Sequence, residues 1–257
     1  MEATKKYELS NITIEFNGVT LHRIKALKDF SNVKAGDLGG WVEKEDNLSQ
    51  IDDAWIDENA KVYGNAEVYG NAQICGKAQV FGNAQICGNV IVFGNAMVYD
   101  NAFVYGDAWI GGDAKVFGNA KVDGNAEVYG NAWVFGKSKV YGNAEVHGNA
   151  KVYGNAQVYD NARVFGKSMV YGDAQVYGRA RISGDASVRC GADYIIFKNF
   201  WSSGRFFTWT RSNNMWSVGC FYGTGEELIR KAYKDSEKSG KEYEKIVRYV
   251  DSILADK

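Results

Sequence analysis

Asn125-Ala126-Glu127-Val128-Tyr129-Gly130 is followed at once by Asn131-Ala132-Trp133-Val134-Phe135-Gly136, two copies of one six-residue phrase. Outward from these copies the phrase runs from Trp55 to Arg189 without an insertion. Its aliphatic residue recurs in steps of six from Ile56 to Val188, which is (188 − 56)/6 + 1 = 23 hexapeptides. Two residues earlier stands Ala, replaced only by Val90, Ser138 and Ser168. Two residues later stands Gly, replaced by Glu58, Asp100, Asp160 and Cys190. A short period with an aliphatic and a small residue at fixed offsets is the mark of a parallel β-helix.

Alternation explains why. Neighbouring residues of a strand face opposite ways, so Ala60 and Val62 point inward while Lys61 and Tyr63 point outward. Gly64 and Asn65 then turn the corner, because these residue types tolerate positive φ. Three strands and three corners close a triangular coil of 18 residues, and alanine at every second inward position suits so narrow a core. This predicts a left-handed parallel β-helix of about 7–8 coils, on the order of 35–40 Å long at the spacing of stacked strands. No proline occurs in 257 residues, as expected where every ladder amide is needed.

The flanks leave this register. Asn17-Gly18 between Asn11–Phe16 and Val19–Ile24 predicts a β-hairpin, and residues 1–47 read as an N-terminal cap, with Trp41 where the first coil must be covered. Residues 48–192 read as the β-helix, with 48–55 a degenerate first turn. Residues 193–257 read as a small α+β module. It should hold two strands, Arg205–Arg211 and Met215–Phe221, a helix opened by the capping box Thr224-Gly225-Glu226-Glu227, a break at Ser239-Gly240, and a second helix from Glu242 to Leu254.

The net charge of −1 gives no general attraction to nucleic acid or to a membrane surface, and no apolar run approaches the length of a span. The four cysteines, Cys75, Cys87, Cys190 and Cys220, lack metal-ligand spacing. Cys75 and Cys87 fall on different faces, so no disulfide is expected, and the chain reads as soluble and cytoplasmic. No cofactor or metal is implied.

Sorting outward residues by 18 gives one face an unbroken aromatic ladder: Tyr63, Phe81, Tyr99, Phe117, Phe135, Tyr153 and Tyr171. Such rings stabilise a parallel stack by themselves. Seven in a row also exceed what a monomer normally exposes, which predicts a homo-oligomer or partner interface. A sugar-binding strip would need convergent polar groups. For chemistry the repeats offer one histidine, His147, with Glu127, Glu145 and Arg163 on its face. An acyltransferase of this shape would add a loop over the acyl donor, and no loop interrupts the 23 repeats. In the module, Arg205, Trp209, Arg211 and Trp216 combine stacking planes with guanidinium donors, a candidate surface for a ligand or target.

The segment Ala26-Leu-Lys-Asp-Phe-Ser-Asn-Val-Lys-Ala-Gly-Asp-Leu-Gly-Gly-Trp-Val-Glu43, followed by Asn47-Leu-Ser49 and then hexapeptides, resembles the lead-in of a phage and prophage family of hexapeptide-repeat proteins. The stretch Val218-Gly-Cys-Phe-Tyr-Gly-Thr-Gly-Glu-Glu227 resembles the ending of such proteins. Members are loosely described as transferases or polymer-forming proteins. The resemblance implies a left-handed β-helix and a place in the cytoplasm of an infected bacterium. Residues and resemblance together read as a non-enzymatic interaction protein that antagonises a host antiphage defence by sequestering a host protein or a small nucleotide ligand. Acyl transfer around His147 and a structural role in a virion or filament are the alternatives.

Overall fold

A computed structural model describes residues 5–201 and 204–255. The chain is a three-faced parallel β-solenoid of about eight turns, closed at its start by a hairpin and at its end by a small sheet with two helices. Each face is built of two-residue strands such as Lys61–Val62, Glu67–Val68 and Gln73–Ile74. Each strand pairs with the one 18 residues on, as in Val62↔Val80 and Ile56↔Ile74. The Ala and aliphatic side chains of every coil are buried in one continuous core. Where Ser138 and Ser168 replace Ala, each hydroxyl donates to a backbone carbonyl, that of Phe135 or Phe165, so neither buried hydroxyl is left open.

The corners explain the glycines. Gly88 has φ +84°, and a Cβ there would lie 2.6 Å from the Gly106 oxygen of the next coil. Asp100 and Asp160 occupy this slot at φ 59° and 60°. In both, the carboxylate accepts from the corner amide one coil on, Gly118 N–H or Gly178 N–H, at 3.1 Å. That bond offsets the strain of a side chain in the left-handed region.

At the start, β1 (Tyr7–Phe16) and β2 (Val19–Ala26) form the expected hairpin, with Asn17 and Gly18 both at positive φ. The third strand, β3 (Leu38–Val42), pairs antiparallel with β2 and parallel with Lys61–Val62. The solenoid therefore opens earlier than the repeat suggests, at Val42 and Leu48. The first coil is longer than the rest: Val42 pairs with Val62 (62 − 42 = 20) and Leu48 bridges Val68 (68 − 48 = 20). The two extra residues fall in the turn before Ala54, where Ile51 is 90% exposed. Trp41 does not cover the open core as expected. It stands outward opposite Lys61, beneath the Arg23 guanidinium at 5.3 Å. Tyr7, Ile24 and Val33 close the core instead. Gly39 and Gly40 let this strand lie against the coil, since a Cβ on either would come within 2.5 Å of Ile56.

The end module holds four antiparallel strands rather than two: Tyr194–Lys198, Phe206–Thr210, Met215–Val218 and Phe221–Gly223. The helices are α1 (Gly225–Asp235), with the expected Thr224 capping box, and α2 (Glu237–Ala255). Gly240 lies inside α2 rather than breaking it. Its missing Cβ makes room for Tyr233, whose ring would otherwise be 2.2 Å away.

Side chains complete the backbone at both ends. In the body, outward amides donate to the coil above, as Arg163 N–H does to Ala180 O and Met169 N–H to Ala186 O. In the last coil no such carbonyl exists. Arg181 N–H donates to Thr208 Oγ1 at 3.0 Å, Ser187 N–H to Ser212 Oγ at 2.7 Å, and Arg189 N–H to Asp193 Oδ2 at 2.7 Å. At the first coil, Lys6 Nζ donates to Ala54 O at 2.8 Å and Tyr7 Oη to Leu48 O at 2.8 Å. The buried Asn47 amide reaches Ala66 O at 2.8 Å.

Thr208→Val keeps the shape of a buried side chain and removes the acceptor for Arg181 N–H. It is expected to cost about 1–3 kcal/mol in chemical denaturation. Hydrogen exchange at Arg181 should quicken, while mid-solenoid amides stay protected.

Candidate functional site

The aromatic ladder is stacked along its whole length. Successive centroids from Tyr63 to Tyr171 lie 4.8–5.2 Å apart, with interplanar angles of at most 8°. Strand spacing sets this separation, so each ring covers its neighbours' faces and leaves its edge to solvent. All seven are half-buried. At the first coil the hairpin ends the stack: Phe16 meets Tyr63 edge-on at 5.9 Å, and Lys61 lies over Phe16. Met97, Trp133 and Met169 stand on the same face, one position before the aliphatic. Trp133 sits between Lys115 and Lys151, 5.1 and 4.9 Å from its ring.

His147 occupies a ladder position on another face, between Tyr129 at 4.8 Å and Phe165 at 5.1 Å, parallel to both within 5°. Both flat faces of the imidazole are covered. Burial pushes its pKa below the usual value; Glu145 opposes this, while Arg163 and Arg181 add to it. Arg163 is held by Glu145 at 2.7 Å, so that carboxylate is already engaged by another group.

Of the four module residues proposed as a ligand surface, two are core. Trp209 and Trp216 are each 2% exposed, in the cluster formed with Phe207, Leu228 and Val247. Burying an indole requires a partner for its N–H, and Trp209 Nε1 donates to Asn214 Oδ1 at 2.8 Å. Neither ring face is open to a ligand. Arg211 is exposed, and its backbone N–H donates to Asp193 O. Arg205 alone opens into a concavity.

That concavity lies where the end module meets the His147 face. It measures about 480 Å³ and is lined by Asn161, Arg163, Arg179, Arg181, Arg205 and Phe206, with Gly204 and Gly219. Sheet register builds it, since Arg163 and Arg181 are paired residues of adjacent strands. Thr208 then anchors the module across the same edge. The sequence does carry a signal for the site: no arginine occurs between Arg23 and Arg163, and four then follow by Arg189. Among the described residues there is no group of three His, Cys, Asp or Glu fit to hold a metal ion. No helix among them is long and apolar enough to cross a membrane. All four cysteines are free.

The family described as YdcK Beta solenoid repeat matches residues 84–98, 156–172 and 174–189. The repeats are those of a β-solenoid. A relative named uncharacterized acetyltransferase YdcK, from Escherichia coli (strain K12), is 38% identical over 69 residues. The similarity covers 23% of this chain and 21% of that protein, about a fifth of the relative's length.

His147 sets a pH test. Its folded pKa lies below the unfolded value of about 6.5, so unfolding takes up a proton. Its contribution to stability is therefore full above pH 6.5 and is lost as pH falls through the folded pKa. His147→Tyr, which restores the common repeat residue, should give a shallower fall in melting temperature between pH 7 and 5 than the wild type.

Proposed function

We propose that this protein is a non-enzymatic interaction scaffold, a rigid prism that self-associates through its aromatic-ladder face and engages a partner protein. The continuous strip from Tyr63 to Tyr171 carries this reading. With Met97, Trp133 and Met169 beside it, the strip is rich in the aromatic residues and methionine that are enriched at interfaces, with Lys115 and Lys151 flanking Trp133. No loop from within the repeats overhangs it, because the 18-residue register from Ile56 to Val188 admits none. Burying the ring edges against a second copy would shield the strip from water, and a stiff ladder loses little conformational freedom on docking. The resemblance of the lead-in segment to phage and prophage proteins supports a setting inside an infected bacterium. There a scaffold of this kind would act by occupying a component of host defence.

Light scattering tests the interface. The wild type should have at least twice the monomer mass at micromolar concentration, and Phe117→Lys with Phe135→Lys should bring it down to the monomer. A monomeric wild type rejects the reading.

The name of the Escherichia coli relative favours a second reading, acyl transfer. Against it stand the shielded faces of His147 and the engagement of Glu145 by Arg163. Incubation with acetyl-coenzyme A and amine or hydroxyl acceptors should release no free thiol above background. Turnover abolished by His147→Ala would establish the acyltransferase instead.

A further inference from the structure

The groove between the last coils and the end module has an electrostatic imbalance that the described residues relieve only in part. Four guanidiniums line it, from Arg163, Arg179, Arg181 and Arg205. Lys198 adds a fifth cation at its edge, 5.9 Å from the Phe206 ring, with Arg179 at 5.3 Å from the same ring. One carboxylate answers them: Glu145 pairs with Arg163. Among the described residues Arg179, Arg181 and Arg205 form no ion pair.

Arg181 is the most constrained. Its guanidinium lies over Phe165 at 5.4 Å and in register with Arg163, and its Nε is buried with no hydrogen-bond partner among the described residues. Burial and the Arg163 charge push its pKa down. A buried donor left open costs about 1–3 kcal/mol, and like charges in register on adjacent strands are destabilising. A solenoid of 23 interchangeable repeats could place glutamine or lysine here, as it does at Gln73 and Lys115. Arginines concentrated at the one place where the module forms a wall mark a site for an anion.

We infer that this groove is a binding site for a compact oligophosphate, gripped by Arg163, Arg179, Arg181 and Arg205. The planar fork of each guanidinium matches two oxygens of a phosphate group. Register sets Arg163 and Arg181 one strand spacing apart, roughly 4.8 Å, so the two forks converge on neighbouring phosphates. The volume suits a nucleotide-sized ligand. A peptide of that volume would have to be acidic at nearly every residue to balance the guanidiniums, a charge density that an oligophosphate carries by itself. Thr208 and Ser217, whose hydroxyls tie the module to Arg181 and Ser183, hold the two walls in fixed relation before any ligand arrives. The site is independent of the aromatic-ladder face, so either can fail without the other.

Calorimetry of the full chain tests this with three probes: sulfate, tripolyphosphate and ATP without magnesium. Tripolyphosphate should bind at low salt at least tenfold more tightly than sulfate, weaken as salt rises, and raise the melting temperature. ATP binding more tightly than tripolyphosphate would assign the site to a nucleoside phosphate, and equal or weaker binding to a free oligophosphate. Arg181→Gln and Arg205→Gln should each weaken tripolyphosphate binding at least tenfold. Arg205 is exposed, so its variant keeps the fold, and Arg181→Gln should unfold no earlier than the wild type. Equal affinity of both variants and wild type, sulfate binding as tightly as tripolyphosphate, or an oligoglutamate peptide binding equally well with the same arginine dependence would each overturn the assignment.

Discussion

A parallel ladder satisfies the backbone of every coil except the first and the last, and that constraint shapes the rest of the molecule. Within the prism each outward amide has a carbonyl waiting one coil on, at 2.6–3.1 Å from repeat to repeat. The repeating interior supplies the driving force, since each buried aliphatic contributes about 1.5–3 kcal/mol. Only unpaired backbone groups and exposed core at the two ends limit it. The two end segments meet that limit largely with side chains, helped at the start by β3, which adds a strand beside Lys61–Val62. Thr208, Ser212 and Asp193 accept from the last coil, while Lys6, Tyr7 and Asn47 donate to the first. The absence of proline follows from the same constraint.

The body of the fold was legible because its signal is periodic. A residue type recurs every 18 residues on the same face, and its consequence could be derived once. What escaped was what occurs once. The two extra residues of the first coil sit in the turn before Ala54, and no period announces them. Of the two unforeseen module strands, Phe221–Gly223 is only three residues long, and Tyr194–Lys198 carries little alternation of its own. Gly240 looked like a helix break because sequence shows the missing side chain but not Tyr233, which fills the space.

The candidate sites divide the same way. The aromatic ladder was visible in full, since period 18 is enough to align seven rings. Trp209 and Trp216 were visible as types but not as places. Aromatic residues in so small a module are needed for its core, and both are used there. The arginine groove was missed because its walls come from segments distant in sequence. Arg163 and Arg181 share a face by period, but Arg205 joins them only once the module folds back over the edge strand.

The uniform coil has a consequence for how such a chain can change. Gain or loss of 18 residues in the body lengthens or shortens the prism by one layer, roughly 4.8 Å, and returns the end module to the same face. Gain or loss of a single hexapeptide turns that module by a third of a revolution. Arg205 would then be carried away from Arg163, and a different flank would be set beneath Thr208. Repeat arrays drift in copy number readily, because each unit touches only its neighbours. A binding site built across the seam between array and module therefore acts as a phase lock. It permits the prism to vary in length by whole coils and selects against every other step.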